Sequence, residues 1–313
     1  MGPGGDEARF TCWGEVLWDH FPDGRRLGGA PANVAYHLAV LGAKVALISR
    51  VGDDEAGRAA LAQLGAAGVD VAAVQVDPAR PTGSVGVELV DGEPRYTMHP
   101  GCAWEHIAFD DRARAQVTAA SALCFGTLSQ RQIAGRAALA SALESAPDCL
   151  AVCDLNLRPG EQDAGFLRRT LAAADLVKIN QREESVLGQL FGQPDVVDWL
   201  CRELGASVVA VTRGADGCRL VASPSSAGIA VDVDQPGFPV DPGGDSVGCG
   251  DAFTAALALG VVRGAPLDRV AEAACRYAAL VAGRRGAMPA MPGTATAEIR
   301  RALAAVRDEK SLT

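Results

Sequence analysis

Short apolar segments alternate with helical segments along most of this chain, and this alternation limits the fold more than any other feature. Short strands that are apolar on both faces are typical of a parallel sheet covered by helices. The pattern therefore predicts a buried, mostly parallel sheet built from βαβ units. The predicted strands are residues 9–17, 44–51, 69–76, 122–125, 149–153, 176–179 and 207–211. The predicted helices include residues 34–41, 55–67, 131–144, 165–173, 196–204, 252–262, 267–282 and 294–307.

Two stretches interrupt this alternation with hairpin-like patterns. Residues 18–27 leave the first strand early through a turn at Pro22, Asp23 and Gly24, and residues 83–98 form strands around Asp91-Gly92. Asp-Gly between alternating segments is a strong hairpin signal. These insertions predict a small β-lid that excludes water from a site; the alternative is a surface hairpin without a function. Residues 220–238 also favour antiparallel strands.

Composition narrows the class of protein. The chain has 313 residues, of which 49% are hydrophobic, and a net charge of −9. This charge argues against nucleic acid or an anionic membrane as the main partner. Nine cysteines without a C-x-x-C pair favour free thiols, and the four histidines lack zinc spacing. Residues 1–7 contain no apolar signal core and no apolar run is typical of a membrane span, so we expect a cytoplasmic protein.

The segment D-S-V-G-C-G-D-A-F, residues 245–253, carries the strongest chemical signal. Gly248 and Gly250 bracket Cys249, Asp251 follows, and an apolar helical run begins. The first turn of a helix has free N–H donors and attracts anions. Such donors can hold a phosphoryl group while the carboxylate accepts the proton of a hydroxyl. Taken alone, the pattern is equally consistent with an acid that merely stabilises the start of a helix.

A second segment, G-G-A-P-A-N at residues 28–33, precedes an amphipathic helical stretch. Proline is favoured at the start of a helix, and Gly42 follows the predicted end. Asn33 would then extend from the first turn, where its amide can donate to and accept from a sugar hydroxyl. A local hydrogen bond to the backbone is the alternative role for Asn33.

Together, these two segments resemble the two signatures of the ribokinase/PfkB carbohydrate-kinase family. The resemblance covers about residues 11–292, and G-E-V-L-W-D, D-L-N-L-R-P and R-R-G-A-M-P-A-M-P are most similar to bacterial fructokinases. It implies a ribokinase-like α/β three-layer sandwich with a mostly parallel central sheet and a small β-sheet lid. The chain would be one domain, residues 1–313, with lid segments at about 18–30 and 82–104. Cys249 departs from the family, which usually has alanine there, and implies sensitivity to oxidation or alkylation.

The resemblance also assigns roles to residues. It implies that Asp251 is the catalytic base beside an anion hole, and that sugar, ATP and metal ions bind nearby. The anion hole is Gly248, Cys249 and Gly250, and the sugar site is Asp19, Gly28, Gly29, Asn33 and Arg158. ATP binding falls to Lys178, Asn180, Thr212, Gly214 and Gly217. Glu183 would act on Mg²⁺ through water, and Asp245, Val247 and Gly286 would hold a monovalent cation such as K⁺.

Some of these residues also have purely structural explanations. Asn180 and Glu183 match a helix start with a capping glutamate. Thr212 to Gly217 match a glycine turn in a hairpin, Asp19 a turn cap, and Arg158 an exposed structural arginine.

The predicted activity is ATP-dependent phosphorylation of D-fructose to fructose 6-phosphate. Kinases of 2-keto-3-deoxygluconate, ribose or a nucleoside are alternatives within the family, and a catalytically inactive sugar-binding or regulatory protein is an alternative class. A P-loop kinase is excluded because the chain has no Gly-Lys dipeptide, and no G-x-G-x-x-G follows the first strand as a dinucleotide oxidoreductase requires. An exposed lid edge also predicts a homodimer through the lid.

Overall fold

The computed structural model of the chain describes residues 8–90, 93–158, 163–223 and 231–304. Its main sheet has eight strands in the order β14-β13-β12-β11-β10-β9-β1-β4. The pairs from β4 to β12 are parallel, and β13 and β14 add antiparallel strands at one edge. These strands are β1 (Arg9–Trp13), β4 (Lys44–Ile48), β9 (Ala122–Phe125), β10 (Leu150–Asp154), β11 (Leu176–Asn180), β12 (Val208–Thr212), β13 (Cys218–Ala222) and β14 (Val231–Gln235).

Helices cover both faces of this sheet, which makes three layers. One face packs its apolar side chains against the first, eighth and ninth helices, and the other packs against the helices of the central part of the chain. The helices are α1 (Ala30–Val40), α2 (Glu55–Ala66), α3 (Asp111–Thr118), α4 (Ile133–Glu144), α5 (Ala164–Ala172), α6 (Gln181–Phe191), α7 (Val196–Arg202), α8 (Cys249–Val262), α9 (Leu267–Ala282) and α10 (Gly293–Ala302). No helix in these ranges is long and apolar enough to cross a membrane.

A separate four-stranded sheet has the order β3-β2-β7-β8. Its strands are β2 (Leu17–Phe21), β3 (Gly24–Gly28), β7 (Gly83–Val90) and β8 (Glu93–Met98), and β5 (Arg50–Gly52) and β6 (Gln75–Asp77) pair by themselves. Both predicted hairpins are therefore present and belong to one sheet. The predicted Asp91-Gly92 turn lies outside the described residues.

Three predicted strands are wrong in their extent. Residues 44–51 are divided between β4, which ends at Ile48, and β5, which pairs with β6. The apolar run 9–17 is divided, because β1 ends at Trp13 and Leu17 begins a strand of the small sheet. Gly14 has a φ of 149°, and a Cβ there would lie 2.5 Å from Pro31 Cγ, so the chain turns away at this glycine. Residues 69–76 form only a single bridge, Ala46 to Asp70, and the start of β6.

The predicted helices are confirmed with shifted ends. α8 begins at Cys249, three residues before the predicted apolar run, and α1 begins at Ala30, which makes Pro31 its second residue. α3 was missed because its composition is largely polar. The predicted last helix ends at Ala302, and its final predicted residues lie outside the described ranges.

Candidate active site

The predicted site residues gather at one edge of the main sheet. Parallel strands expose their carboxyl ends at the same edge, which is where α/β folds bind ligands. Segments that carry site residues follow β1, β10, β11 and β12 directly, and α1 and α8 begin at the same edge. The site residues after β10, β11 and β12 are Arg158, Asn180, Glu183, Gly214 and Gly217.

Asp251 lies in the first turn of α8, as predicted. Gly248 is the N-cap of this helix, with a φ of 77° that favours glycine, and a Cβ there would lie 2.6 Å from Ala287 Cα. The carboxylate of Asp251 is 9% exposed and accepts a hydrogen bond of 2.7 Å from Asn33 Nδ2. The starts of α1 and α8 therefore meet at the predicted catalytic carboxylate.

The surroundings of Asp251 make it a stronger base than a free aspartate. Burial and the charge of Asp154 raise its pKa to about 7, while Asn33, Lys178 and Arg158 oppose this increase. A general base works best when its pKa lies near the working pH. The raised pKa therefore suits proton acceptance at neutral pH.

The side chain of Asn33 has one unsatisfied polar atom. Its amide nitrogen donates to Asp251, but among the described residues its Oδ1 has no hydrogen-bond partner although it is buried. A buried acceptor without a partner costs about 1–3 kcal/mol. A hydroxyl group next to Asp251 would satisfy this atom.

Sequence reasoning missed a buried network beneath the anion hole. Lys178 Nζ lies 3.0 Å from Asp154 Oδ1, and Thr254 Oγ1 donates to Asp154 Oδ2 at 2.7 Å. Burial alone would lower the pKa of Lys178, but the charges of Asp154 and Glu183 outweigh burial and raise the pKa, so the ammonium stays charged. A Cβ on Gly250 would lie 3.0 Å from Lys178 Nζ. The network thus links β10 and β11 to the first turns of α8.

Glu15 is a second acidic residue that sequence reasoning did not assign. It is buried, and its Oε1 accepts a hydrogen bond of 3.1 Å from Ala30 N at the start of α1. Burial raises its pKa to about 7, with Arg158 opposing. Its position in an otherwise apolar segment was the available signal. Gly29 (φ 105°) is required here, because a Cβ would lie 2.3 Å from Glu15 O.

The predicted strand 9–17 implies that Asp19 lies at the end of the first strand of the main sheet, but Asp19 lies in β2 of the small sheet and reaches the site from there. Its Oδ2 would lie 2.5 Å from a Cβ on Gly28, so these two predicted sugar-site residues are in contact. Burial raises the pKa of Asp19 to about 6, and the charge of Arg158 opposes this. The charge of Arg158 acts to lower the pKa of Glu15, Asp19 and Asp251, which places its guanidinium near all three acids.

The N-x-x-E motif forms a capping box at the start of α6. Asn180 Oδ1 accepts from Glu183 N at 3.0 Å, and Glu183 Oε2 accepts from Asn180 N at 2.8 Å. The other oxygen of Glu183 accepts from Leu157 N at 2.8 Å. The motif therefore caps the start of α6, as its structural alternative predicted. Glu183 also fixes the loop that carries Arg158.

A cavity of about 320 Å³ joins the other predicted nucleotide residues to Cys249 and Gly250 of the predicted anion hole. Gly214 (φ 59°) and Gly217 (φ 90°) flank a short 3-10 turn after β12. A Cβ on Gly217 would lie 2.0 Å from Gln235 O, so only glycine fits. Predicted site residues lining the cavity are Thr212, Gly214, Gly217, Cys249 and Gly250.

The three predicted cation-site residues also meet. The carboxylate of Asp245 accepts from Val247 N at 3.1 Å and from Gly286 N at 3.0 Å. Asp245 N in turn donates to Arg284 O at 2.9 Å. This contact holds the loop before α8 against the loop after α9.

The chain is similar in sequence to known kinases of sugars and sugar phosphates. A putative sugar kinase of Pyrococcus horikoshii is 32% identical over 269 residues, 83% of this chain and 82% of its own length. Its solved structure with ATP has a TM-score of 0.77 at 27% identity and covers 94% of this chain and 99% of that one. A fructokinase of Escherichia coli is 32% identical over 318 residues, 91% of this chain and 96% of its own. An ATP-dependent ribose-1-phosphate kinase of Halopiger xanaduensis is 32% identical over 272 residues, 86% of this chain and 85% of its own.

The fold and the site define a phosphotransferase of the ribokinase-like α/β class. The model of the family described as pfkB family carbohydrate kinase matches residues 23–293. The chain belongs to this family and is a sugar kinase, so the predicted family and enzyme class are confirmed.

Proposed function

We propose that the chain transfers the γ-phosphoryl group of ATP to D-fructose and forms fructose 6-phosphate. The observation that carries this proposal is the buried Oδ1 of Asn33, which has no hydrogen-bond partner in the described part of the chain and lies on the side chain that holds Asp251. A sugar hydroxyl can donate to Asn33 while a second hydroxyl donates its proton to Asp251. Similarity to the Escherichia coli fructokinase supports fructose among the sugars.

In this proposal Asp251 orients the acceptor hydroxyl and removes its proton. The N–H groups of Gly248, Cys249 and Gly250 stabilise the negative charge on the phosphoryl group as it moves, because they lie at the start of α8, where Cys249 N makes a long hydrogen bond of 3.4 Å to Ser246 O that a phosphoryl oxygen can replace. Asp19, Gly28, Gly29, Asn33 and Arg158 hold the sugar. The small sheet acts as the lid that excludes water, so that transfer to sugar is favoured over hydrolysis.

ATP is the proposed phosphoryl donor. The relative from Pyrococcus horikoshii was solved with ATP, and the cavity next to the anion hole is lined by the predicted residues Thr212, Gly214 and Gly217. Lys178 is buried and paired with Asp154, so we assign it a supporting position under the anion hole in addition to the predicted contact with nucleotide. Asn180 joins the site through its capping box.

Two metal ions are part of the proposal. Mg²⁺ neutralises charge on the phosphates, and Glu183 fits an indirect contact because both its oxygens already accept backbone N–H groups and retain lone pairs for a metal-bound water. The Asp245 carboxylate, the Val247 carbonyl and Gly286 supply oxygen-rich chemistry suited to K⁺. Equal turnover in potassium, sodium and Tris buffers would remove the potassium role.

The substrate is tested with a coupled assay for ADP over a panel of sugars. We expect turnover with D-fructose and the phosphate at O6. Activity on 2-keto-3-deoxygluconate alone, or on ribose or a nucleoside alone, would overturn fructose but keep the family assignment. Ribose 1-phosphate belongs in the panel, because a relative of that name is as similar as the fructokinase and Arg158 could bind a sugar phosphate.

Replacing the catalytic base tests the mechanism. Asp251→Asn should lower kcat by ~10²–10⁴, because the hydroxyl then loses its proton acceptor. Asp268→Asn is the matched control, since Asp268 is the exposed acid in the first turn of α9. Near-equal turnover of both variants would mean that Asp251 only stabilises its helix.

A further inference from the structure

Two cysteines far apart in the sequence meet beside the proposed nucleotide cavity. Cys218 begins β13 and Cys275 lies in α9, and their sulfur atoms are 3.5 Å apart. Cys275 lines the cavity, and Cys218 follows Gly217, which also lines it. Both thiols are free.

We propose that Cys218 and Cys275 are an oxidisable dithiol that hydrogen peroxide converts into a disulfide, and that this bond weakens ATP binding. Disulfides in reducing compartments are usually transient and redox-sensing. The effect on ATP rests on the proposed nucleotide site, whereas formation of the bond does not.

Formation of this disulfide needs only the two thiols and one hydrogen peroxide. The Cys275 thiolate attacks one peroxide oxygen, the O–O bond breaks, and Cys275 becomes a sulfenic acid while the departing oxygen leaves as water after taking up a proton. The Cys218 sulfur then attacks the sulfenic sulfur, the S–O bond breaks, and a second water leaves. Two thiols lose two electrons and two protons, and one hydrogen peroxide is reduced to two waters.

The surroundings favour Cys275 as the attacking thiol. The hydrogen bond with Cys218 lowers the pKa of Cys275, burial opposes this, and the charge of Arg213 adds to the lowering. Arg213 is held close, because its guanidinium donates to Cys218 O at 3.0 Å. Cys249 lines the same cavity, but burial raises its pKa to about 11, which disfavours its thiolate.

Bond formation would move the cavity wall. The two sulfurs must approach from 3.5 Å to about 2.0 Å. This pulls β13 and α9 together, and α9 also supplies Ala278, Ala279 and Ala282 to the cavity. The turn that leads into β13 supplies Gly214, Ala215 and Gly217 to the opposite wall, so a shift of β13 towards α9 should narrow the cavity, which should then hold the nucleotide less well.

The test treats the full chain with hydrogen peroxide and maps disulfides by mass spectrometry without reduction. We expect a peptide pair joined through Cys218 and Cys275, a severalfold rise in KM for ATP, and recovery after dithiothreitol. Calorimetric titration with ATP gives the same readout without any sugar, so a failure of the proposed sugar kinase activity remains distinguishable. A wild-type chain that oxidises other thiols but never joins these two overturns the proposal.

Two variants identify the thiols, each compared with its own untreated state. Cys218→Ala should form no cross-link and lose the reversible rise in KM. Cys249→Ala should keep both the cross-link and the rise in KM relative to its own untreated state, whatever its untreated turnover. If Cys218→Ala does not fold, Cys218→Val takes its place. The disulfide map of the wild-type chain tests formation of the bond without any variant. If the rise persists in Cys218→Ala and disappears in Cys249→Ala, then Cys249 is the sensitive thiol and the proposal is wrong.

Discussion

At the scale of single residues, two groups of neighbours shift the pKa of Asp251 in opposite directions. Burial and Asp154 raise its pKa, whereas Asn33, Lys178 and Arg158 lower it. The balance depends on residues from four separate segments of the chain, because Asp154 and Arg158 lie in the same one. The sequence indicated the carboxylate and Asn33 separately, but it did not predict the hydrogen bond between them or the raised pKa of Asp251.

The pH dependence of the reaction follows from this balance. Because the base must be ionised, kcat/KM should rise with pH through the pKa of Asp251, which is raised to about 7. Asn33→Ala removes a hydrogen bond that lowers this pKa, so the acidic limb should move to higher pH. Asp154→Asn removes a charge that raises it, so the limb should move to lower pH.

The measurement is kcat/KM against pH for the wild type and both variants, with the folded fraction checked by circular dichroism. The check is needed because removing one partner of a buried ion pair costs about 3–5 kcal/mol. Shifts of both variants in the same direction would contradict the assignment of the limb to Asp251.

Replacing Gly248 of the proposed anion hole by alanine tests whether turnover depends on the close packing at this glycine. Gly248→Ala places a Cβ at a φ of 77° and 2.6 Å from Ala287 Cα. Gly192→Ala is the control, because its φ is 65° and its Cβ would have no atom within 4 Å. Both should lose about 1–2 kcal/mol through left-handed strain, but only Gly248→Ala should also lose most of its turnover. Equal kinetic effects would show that the clash is irrelevant.

At the scale of elements, α6 shows that one motif can have both a structural role and a proposed functional role. Its capping box is local and is visible in the sequence, whereas the contact of Glu183 with Leu157 N joins α6 to the loop after β10, 26 residues away. The second contact depends on the parallel pairing of β10 with β11. This contact between Glu183 and Leu157 N has no signature in the sequence.

Removing the cap separates these roles. Asn180→Ala should lower stability by about 1 kcal/mol, and Asp195→Ala should do the same because Asp195 caps α7 through Asp198 N at 2.9 Å. Of these two variants, only Asn180→Ala should raise KM for ATP with magnesium, since α6 begins at the site and α7 does not. Chemical denaturation and steady-state kinetics measure both effects, and a change in KM for Asp195→Ala would contradict a site-specific role.

At the scale of the whole molecule, the small sheet leaves β3 and β8 as its edge strands. Exposed edges pair readily with a second copy. We therefore predict a homodimer through the small sheet, measured as the mass in solution by light scattering at micromolar concentration. A monomer mass under these conditions would contradict the prediction.

The sequence by itself determined the parts that depend on local chemistry and periodicity. The apolar alternation predicted the parallel sheet, the glycines predicted the start of α8, and the two signatures predicted the family and the residues that gather at one sheet edge. The tertiary structure alone decided that the run 9–17 is divided at Gly14, that Asp19 comes from the small sheet, and that Glu15, Asp154 and Thr254 belong to the site. Those features arise where distant segments meet, and neither a hydrophobic period nor a residue spacing records which segments become neighbours.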